Sequence, residues 1–469
     1  MCVYIYGVGK SVIHKNGKEG GEIVDHVTEA FVNYITSLEF SKLPETVIEK
    51  CKILCLDLLG IPFKASELES SKILIESVGR EKGDHLILGF NKKTTQRSAA
   101  LINGCLAHSL EFDDTHREAS IHPGAAIIPL LLSYEPDGKS FIEGMVVGYD
   151  IACRLGMAIN PAEHYARGFH GTATCGLFGC VAAGAKILGL NAEKIQNAFG
   201  IALSMVAGSM QFLENGSWNK RLHPGLAASN AILALNLAKN GFVGAAKPFE
   251  GKYGFLNSYS ANTHPEKALE IGERYEVMFT GVKPYPCCRY THPAVDLALR
   301  SHIDPKEILG IEVELTSAGY GISGNPLERK QNPKNTVDAQ FSMPFALAAA
   351  IVKGRLTVSE FSEEIIWSKE IRDLMKKIKV SPSKELDKEY PNKWPVVLKI
   401  KTKDGLLELK KDYPSGEPED PLSFKEVSAK FRTLVGDKVD AAEVIDFVRK
   451  LEKNEVSELL QIFEVEKTG

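Results

Sequence analysis

At 469 residues the chain is longer than one ordinary hydrophobic core needs, so two domains are expected. With 44% hydrophobic and 25% charged residues it has the make-up of an ordinary globular protein. A net charge of −4, with no Lys/Arg run interleaved with aromatics, excludes a general nucleic-acid surface and leaves anion binding to local sites.

The nine cysteines (2, 51, 55, 105, 153, 175, 180, 287 and 288) are odd in number and mostly lie in apolar, helix-like segments. They read as reduced, buried thiols rather than a disulfide framework. No C-x-x-C occurs, so neither an iron–sulfur cluster nor a structural zinc is expected. The first twenty residues lack the marks of a signal or transit peptide, and no uncharged apolar run reaches ~18 residues. The expectation is a cytoplasmic protein with no membrane contact.

Residues 1–24 read as an extension outside the main fold. Helical periodicity starts at Asp25 (Val27, Ala30, Phe31, Tyr34, Ile35, Leu38) and resumes from Pro44 to Leu59, ending at Gly60 before Pro62. A third helix is expected over Ser70–Val78. The stretch from Ser98 to Leu132 then starts as a small-residue helix. It passes through His108, Glu111, Asp113, Asp114, Thr115, His116 and His122, and re-enters an apolar helix at His122-Pro123-Gly124. So many polar groups between two buried segments predict one wall of an active site. For Asp113-Asp114-Thr115 taken alone, a capped helix end is the preferred reading. His122 sits where free backbone N–H groups and a positive dipole end would receive a carboxylate.

A helix is expected from about Ser140 to Met157. Thr172–Leu188 and Leu226–Ala238 are rich in Ala, Gly, Ser and Cys, which lets helix axes approach closely. Each is preceded by a polar motif. Arg167-Gly168-Phe169-His170 presents a second histidine at a helix mouth. Lys220-Arg221-Leu222-His223-Pro224-Gly225 supplies cations for an anionic substrate.

Beyond about residue 272 the texture changes. Ile311, Val313 and Leu315 alternate with polar residues as in a half-buried strand, and 396–400 and 406–409 flank a hairpin turn at Lys403-Asp404-Gly405. Helical patterns lie near 293–301, 343–352 and 368–377. In Lys283-Pro284-Tyr285-Pro286-Cys287-Cys288, structural packing is preferred to a nucleophile, and Thr291 is expected to cap a helix starting at His292-Pro293. From Asp420 onward the chain is helical again. The expected architecture is therefore mainly α with an α+β insertion. A large helical domain (25–272 and 420–469) carries a smaller α+β lid domain (273–419).

Three histidines, a lysine, carboxylates and helix N-termini are the equipment for moving a proton beside a carboxylate. Cations and N–H donors must stabilise the carbanion while a base near neutrality takes the proton. These motifs resemble the MmgE/PrpD family, whose members include 2-methylcitrate dehydratase, cis-aconitate decarboxylase and iminodisuccinate epimerase. The resemblance is carried by Asn103-Gly104, His108, Phe112-Asp113-Asp114-Thr115, His122-Pro123, Gly168-Phe169-His170, Lys220-x-Leu222-His223-x-Gly225 and Lys283-x-Tyr285-Pro286…His292, from about residue 25 to the C-terminus. It implies a homodimer that needs neither metal nor organic cofactor.

By motif position the resemblance puts the catalytic set on Glu111, His122, His170 and Lys220. Thr115, Asp113, Asp114, Arg221, His223, Lys283, His292 and Phe345 form the substrate-binding set. Glu111 stands where the family usually has aspartate, and Phe345 where the decarboxylase branch carries a tyrosine. The expected activity is a hydro-lyase on a small di- or tricarboxylate, similar to 2-methylcitrate or citrate dehydratase. The alternatives are a cis-aconitate-type decarboxylase or a dicarboxylate epimerase or isomerase. More remote are a metal-dependent hydrolase and a non-catalytic binding protein.

Overall fold

The computed structural model describes residues 26–464, so the expected N-terminal extension and Cys2 lie outside the described residues. The fold is mainly helical and includes a smaller α+β unit. The expected helices are present as Val27–Ser37, Glu45–Leu59, Glu69–Val78, Gln96–Ala107, Gly124–Tyr134, Gly138–Ala158 and Gly171–Ile187. Gly60 is not a full stop, because a short helix, Ile61–Ala65, resumes with Pro62 in its first turn, where a missing N–H costs nothing. The helix Ala192–Leu203, which buries Ile195, Ala198, Phe199 and Ala202, was not anticipated.

One apolar cluster draws side chains from Val27 to Val282 and again from Val427 to Phe463; a second runs from Cys287 to Ile400. The helices Phe424–Val435, Ala441–Arg449 and Val456–Glu464 thus belong with the first core. The second core is built on a four-stranded sheet in the spatial order Ile378–Pro382, Ile308–Leu315, Val396–Thr402, Gly405–Lys411. The first pair is parallel and the others antiparallel, with Ile311 opposite Ile400 and Val313 opposite Leu398. Ile311, Val313 and Leu315 face inward, as their alternation predicts. All eight described cysteines are free and buried. Among the described residues no helix is long and apolar enough to cross a membrane.

Two local features bring distant segments to one place. Thr115–His116 pairs antiparallel with Thr280–Gly281, Thr115 opposite Gly281, which delivers Lys283 to the polar run after helix Gln96–Ala107. The second feature is the helix Asn219–Lys239, which starts earlier than expected. Lys220, Arg221 and His223 lie in its first turns rather than in a loop, and Pro224 sits inside it, offering no N–H to the Lys220 carbonyl. This helix meets Gln96–Ala107 backbone to backbone. A Cβ on Gly225 would lie 2.1 Å from the Leu101 carbonyl oxygen and 2.6 Å from Cys105 Sγ; one on Gly104 would lie 2.7 Å from Gly225 Cα. Glycine at both positions sets how closely Lys220 can approach the residues that follow Ala107.

Gly225→Ala is therefore expected to destabilise the fold despite alanine's better helix propensity. Overpacking of this kind costs about 1–3 kcal/mol. Urea unfolding should show a lowered midpoint at unchanged m-value, and an unchanged midpoint would refute the close-packing account.

Candidate active site

The first wall begins where helix Gln96–Ala107 ends on His108. His108 Nδ1 lies 2.6 Å from Asp113 Oδ2, and both side chains are fully buried. A carboxylate oxygen accepts here, so Nδ1 donates, and Nε2 is buried without a hydrogen-bond partner. His122 Nδ1 is 2.6 Å from the Asp114 carbonyl oxygen and 3.2 Å from Thr115 Oγ1. A carbonyl only accepts, so Nδ1 carries the proton and Nε2 of His122 is free to act as a base. The His122 main-chain N–H donates to Thr172 Oγ1 at the head of helix Gly171–Ile187, tying this wall to the next. Asp114 serves the fold: Oδ1 accepts from Gly124 N–H, at 3.1 Å, and Oδ2 from the Tyr149 hydroxyl, at 2.6 Å. Burial, with Asp113 and Asp57 nearby, pushes its carboxyl up to about 7.

The second wall carries His170, the residue preceding helix Gly171–Ile187, and His223 from helix Asn219–Lys239. Their Nδ1 atoms are 2.8 Å apart, so one donates and the other accepts, and the accepting ring carries its own proton on Nε2. The ring centroids of His108 lie 5.0 Å from His122 and 5.9 Å from His170, giving a row of four imidazoles. Burial, then the neighbouring lysines and histidines, hold His122 and His170 well below the ordinary histidine range, and His223 down at about 4.

The charge that distinguishes the site is Glu111. Its backbone adopts a left-handed φ of 53°, uncommon for a residue with a Cβ. Its carboxylate is bonded to Lys220 Nζ and lies 3.7 Å from Lys283 Nζ, which also donates to the Glu111 carbonyl at 3.1 Å. Burial alone would raise this carboxyl, but Lys220, Lys283 and His108 together hold it at about 2. Glu111 and Lys220 border a cleft of about 190 Å³, closed on the lid side by Arg329, Lys330, Gln340 and Phe341. Lys220 Nζ also lies 5.2 Å from the centroid of the Phe341 ring. Arg221 lines the same cleft and is anchored to Ser70 Oγ at 2.6 Å.

Of the twelve sequence candidates only Glu111, Lys220 and Arg221 line this cleft, His223 borders a separate cavity, and two lie apart from the imidazole row as well. Phe345 is wholly buried in the lid core against Phe361, because helix Met343–Lys353 turns its first turn inward. His292 is buried with Nε2 toward the Cys287 carbonyl at 3.2 Å, and neither residue lines the cleft. The Thr291 hydroxyl donates to the Cys288 carbonyl and caps no helix. Sequence reasoning missed Ser109, Phe212, Arg329, Lys330, Gln340 and Phe341, all of which line the cleft. Gln340 and Phe341 lie within five residues of the sequence candidate Phe345, whereas Arg329-Lys330 sits in a charged run that reads as solvated surface.

His108, Asp113 and His122 each offer a ligand atom within 4.8 Å of the others, the one such grouping among the described residues. As arranged, the Nδ1 atoms of both imidazoles bond to oxygen acceptors, and two lysines stand beside the carboxylate Glu111. A cation there would have to displace those hydrogen bonds and sit in a positive field.

With this geometry in hand, the comparisons with known proteins place the chain. It belongs to the MmgE/PrpD family: the MmgE/PrpD N-terminal domain matches residues 29–268 and the C-terminal domain residues 285–453. It is 26% identical to a cis-aconitate decarboxylase of Aspergillus terreus over 97% of this chain and 98% of that protein. Against the cis-aconitate decarboxylase-like protein oryM of Aspergillus oryzae the identity is 26% over 93% and 97%. The cis-aconitate decarboxylase of Homo sapiens is 26% identical over 91% of each chain.

His223 gives a signed test of these electrostatics. Between the ordinary histidine value and about 4 the unfolded chain takes up a proton that the folded chain refuses. Its contribution therefore lowers stability as pH falls through that window and levels off below it, with a slope of at most about 1.4 kcal/mol per pH unit. Asp114 works in the opposite sense, since its raised carboxyl stays protonated in the fold up to about pH 7. The measurement is thus a difference: wild type should lose stability relative to His223→Asn as pH is lowered from about 6.5 to 4. Parallel curves would refute the depressed value.

Proposed function

We propose that this member of the MmgE/PrpD family is a cofactor-independent lyase acting on a small di- or tricarboxylate, with decarboxylation of a cis-aconitate-type acid as the leading reaction. The observation that carries the reading is the ionised Glu111 held between Lys220 and Lys283 at the edge of a cationic cleft. Lys220, Arg221, Arg329 and Lys330 line that cleft against the carboxylates Glu111 and Asp338, and Lys283 adds a further cation behind Glu111. The excess is three positive charges, which suits a ligand with two or three carboxylates. The full-length similarity to cis-aconitate decarboxylases favours decarboxylation over the dehydration expected from sequence.

In this reading the C–C bond to one carboxylate breaks and leaves as CO2, while the electron pair stays on carbon and spreads toward a neighbouring carboxylate. Lys220 stabilises that developing charge. Solvent first protonates the His170–His223 pair to an imidazolium, and the carbanion takes that proton, which returns the pair to its neutral form. A cavity of about 450 Å³ bordered by His223 and several amide side chains gives water a place from which to protonate the pair. Glu111 is ionised, so it serves as counter-ion to the lysines and not as the acid. His122, with Nε2 free, is the base available when a proton must first be removed.

Dehydration, the reading from sequence alone, differs in the group that leaves; Phe345, buried away from the cleft, does not choose between the two. A homodimer is part of the same proposal.

Incubation with cis-aconitate should release CO2 and consume the unsaturated acid. Citrate and 2-methylcitrate should show no gain in ultraviolet absorbance. The reverse pattern would overturn decarboxylation in favour of dehydration, and silence with all three would overturn the lyase reading for these acids. Lys220→Met should lower kcat/KM by roughly 10²–10³-fold with the fold intact by circular dichroism.

A further inference from the structure

Three consecutive carbonyls around Glu111 are each held by a side chain from a different part of the sequence. Gln340 Nε2 donates to the Leu110 carbonyl at 2.8 Å, Lys283 Nζ to that of Glu111 at 3.1 Å, and Lys430 Nζ to that of Phe112 at 2.7 Å. Gln340 and Lys430 each reach a second carbonyl as well. Gln340 Nε2 is 3.1 Å from the Pro286 oxygen and Lys430 Nζ is 3.0 Å from the Lys283 oxygen. Each therefore bonds one carbonyl of the 110–112 turn and one of the 283–286 segment. Between them they stitch together the backbones that carry the carboxylate and its second lysine.

The chemistry of Lys430 fits this use. It lies on helix Phe424–Val435, far along the chain, and is almost fully enclosed. An ammonium has three N–H donors. Two of them meet the Phe112 and Lys283 oxygens, Nζ forms an ion pair with Asp57 Oδ1 at 2.7 Å, and it stands 3.6 Å from the centroid of the Phe112 ring. Asp57 supplies the counter-charge from helix Glu45–Leu59. Neither Lys430 nor Asp57 borders the cleft. Gln340 does border it, yet both Nε2 hydrogens are spent on carbonyls, and its own main-chain oxygen accepts from Cys288 N–H at 2.8 Å.

A left-handed backbone at a residue with a Cβ persists only where the surroundings over-determine it. We propose that Gln340 and Lys430 are positioning residues that hold the Glu111 turn against the Lys283 segment, fixing the carboxylate between its two lysines. They touch no reacting atom and act through Glu111. The kinetic arm of the test rests on the lyase reading above; the structural arm does not.

Lys430→Met alone would leave Asp57 as an uncompensated buried carboxylate and could prevent folding. The informative variants are therefore the double substitution Lys430→Met/Asp57→Asn, the single Gln340→Met, and Lys430→Arg, which keeps charge and donors. In crystal structures of the first two, residue 111 should leave the left-handed region or its carboxylate should leave Lys220. A Glu111 whose φ and lysine contacts both persist in the two variants would overturn the proposal. On the substrate that wild type turns over, kcat should fall by roughly 10²-fold with KM little changed, and Lys430→Arg should recover part of the loss. A rise in KM at constant kcat would assign these residues to substrate binding and overturn it. If wild type turns over none of the acids tested, the lyase reading fails while the crystal structures still decide this one.

Discussion

The arrangement depends on one electrostatic constraint: a buried carboxylate that is stable only because two ammonium groups meet it. Moving an ion from water into a protein interior costs several kcal/mol. Two opposite charges about 4 Å apart recover about 4 kcal/mol at the effective dielectric found near protein surfaces. One lysine would leave Glu111 near break-even; the second, with His108, brings its carboxyl down to about 2. The converse holds for the lysines. With Glu111 between them the two ammonium groups can lie side by side.

The same positive field explains the histidines. His122, His170 and His223 are pushed toward neutrality first by burial and then by these lysines and by one another. A neutral imidazole at ordinary pH can accept a proton, and a hydrogen-bonded pair can pass one along. The cationic cluster thus also holds the adjacent imidazoles toward the neutral form. Binding an anionic substrate would relax that pressure, because it lowers the local positive charge and makes an imidazolium easier to form. Substrate binding and proton supply are in this way coupled through one field.

Much of this was legible in the sequence, and its limits have physical causes. Hydrophobic periodicity marks the long helices because their faces are buried in one core, and strict alternation marks the strand Ile308–Leu315. The helix-mouth histidines His122 and His170, together with Lys220, Lys283 and Glu111, follow from local motifs, and the fold gathers them. What escaped was longer-range. Pro224 made residues 219–225 read as a loop, although a proline six residues into a helix removes only one hydrogen bond. Arg329 and Lys330 look like surface charge until the fold sets them in one cleft with Lys220, and Phe345 looks exposed to the site until its helix turns it inward. Lys430 carries no local signal, since its meaning lies in carbonyls 147 and 318 residues away.

This separation has a consequence for how one site could serve several reactions. The charged pair and the imidazoles come from the helical part of the chain and from Lys283 at its edge, while the far side of the cleft comes from the segment 321–341. Stabilising a carboxylate-bound carbanion asks only for the first set. Which group leaves, and from which face the proton arrives, depends on how the rest of the substrate is held, and that is set by the second. Glutamate at position 111 belongs to the first set. Its extra methylene lets a carboxylate anchored on the turn after helix Gln96–Ala107 reach a lysine on the facing helix Asn219–Lys239, and the left-handed backbone is part of how this turn presents it. With an aspartate on the same backbone, the flexible stem of Lys220 would have to cover the missing methylene.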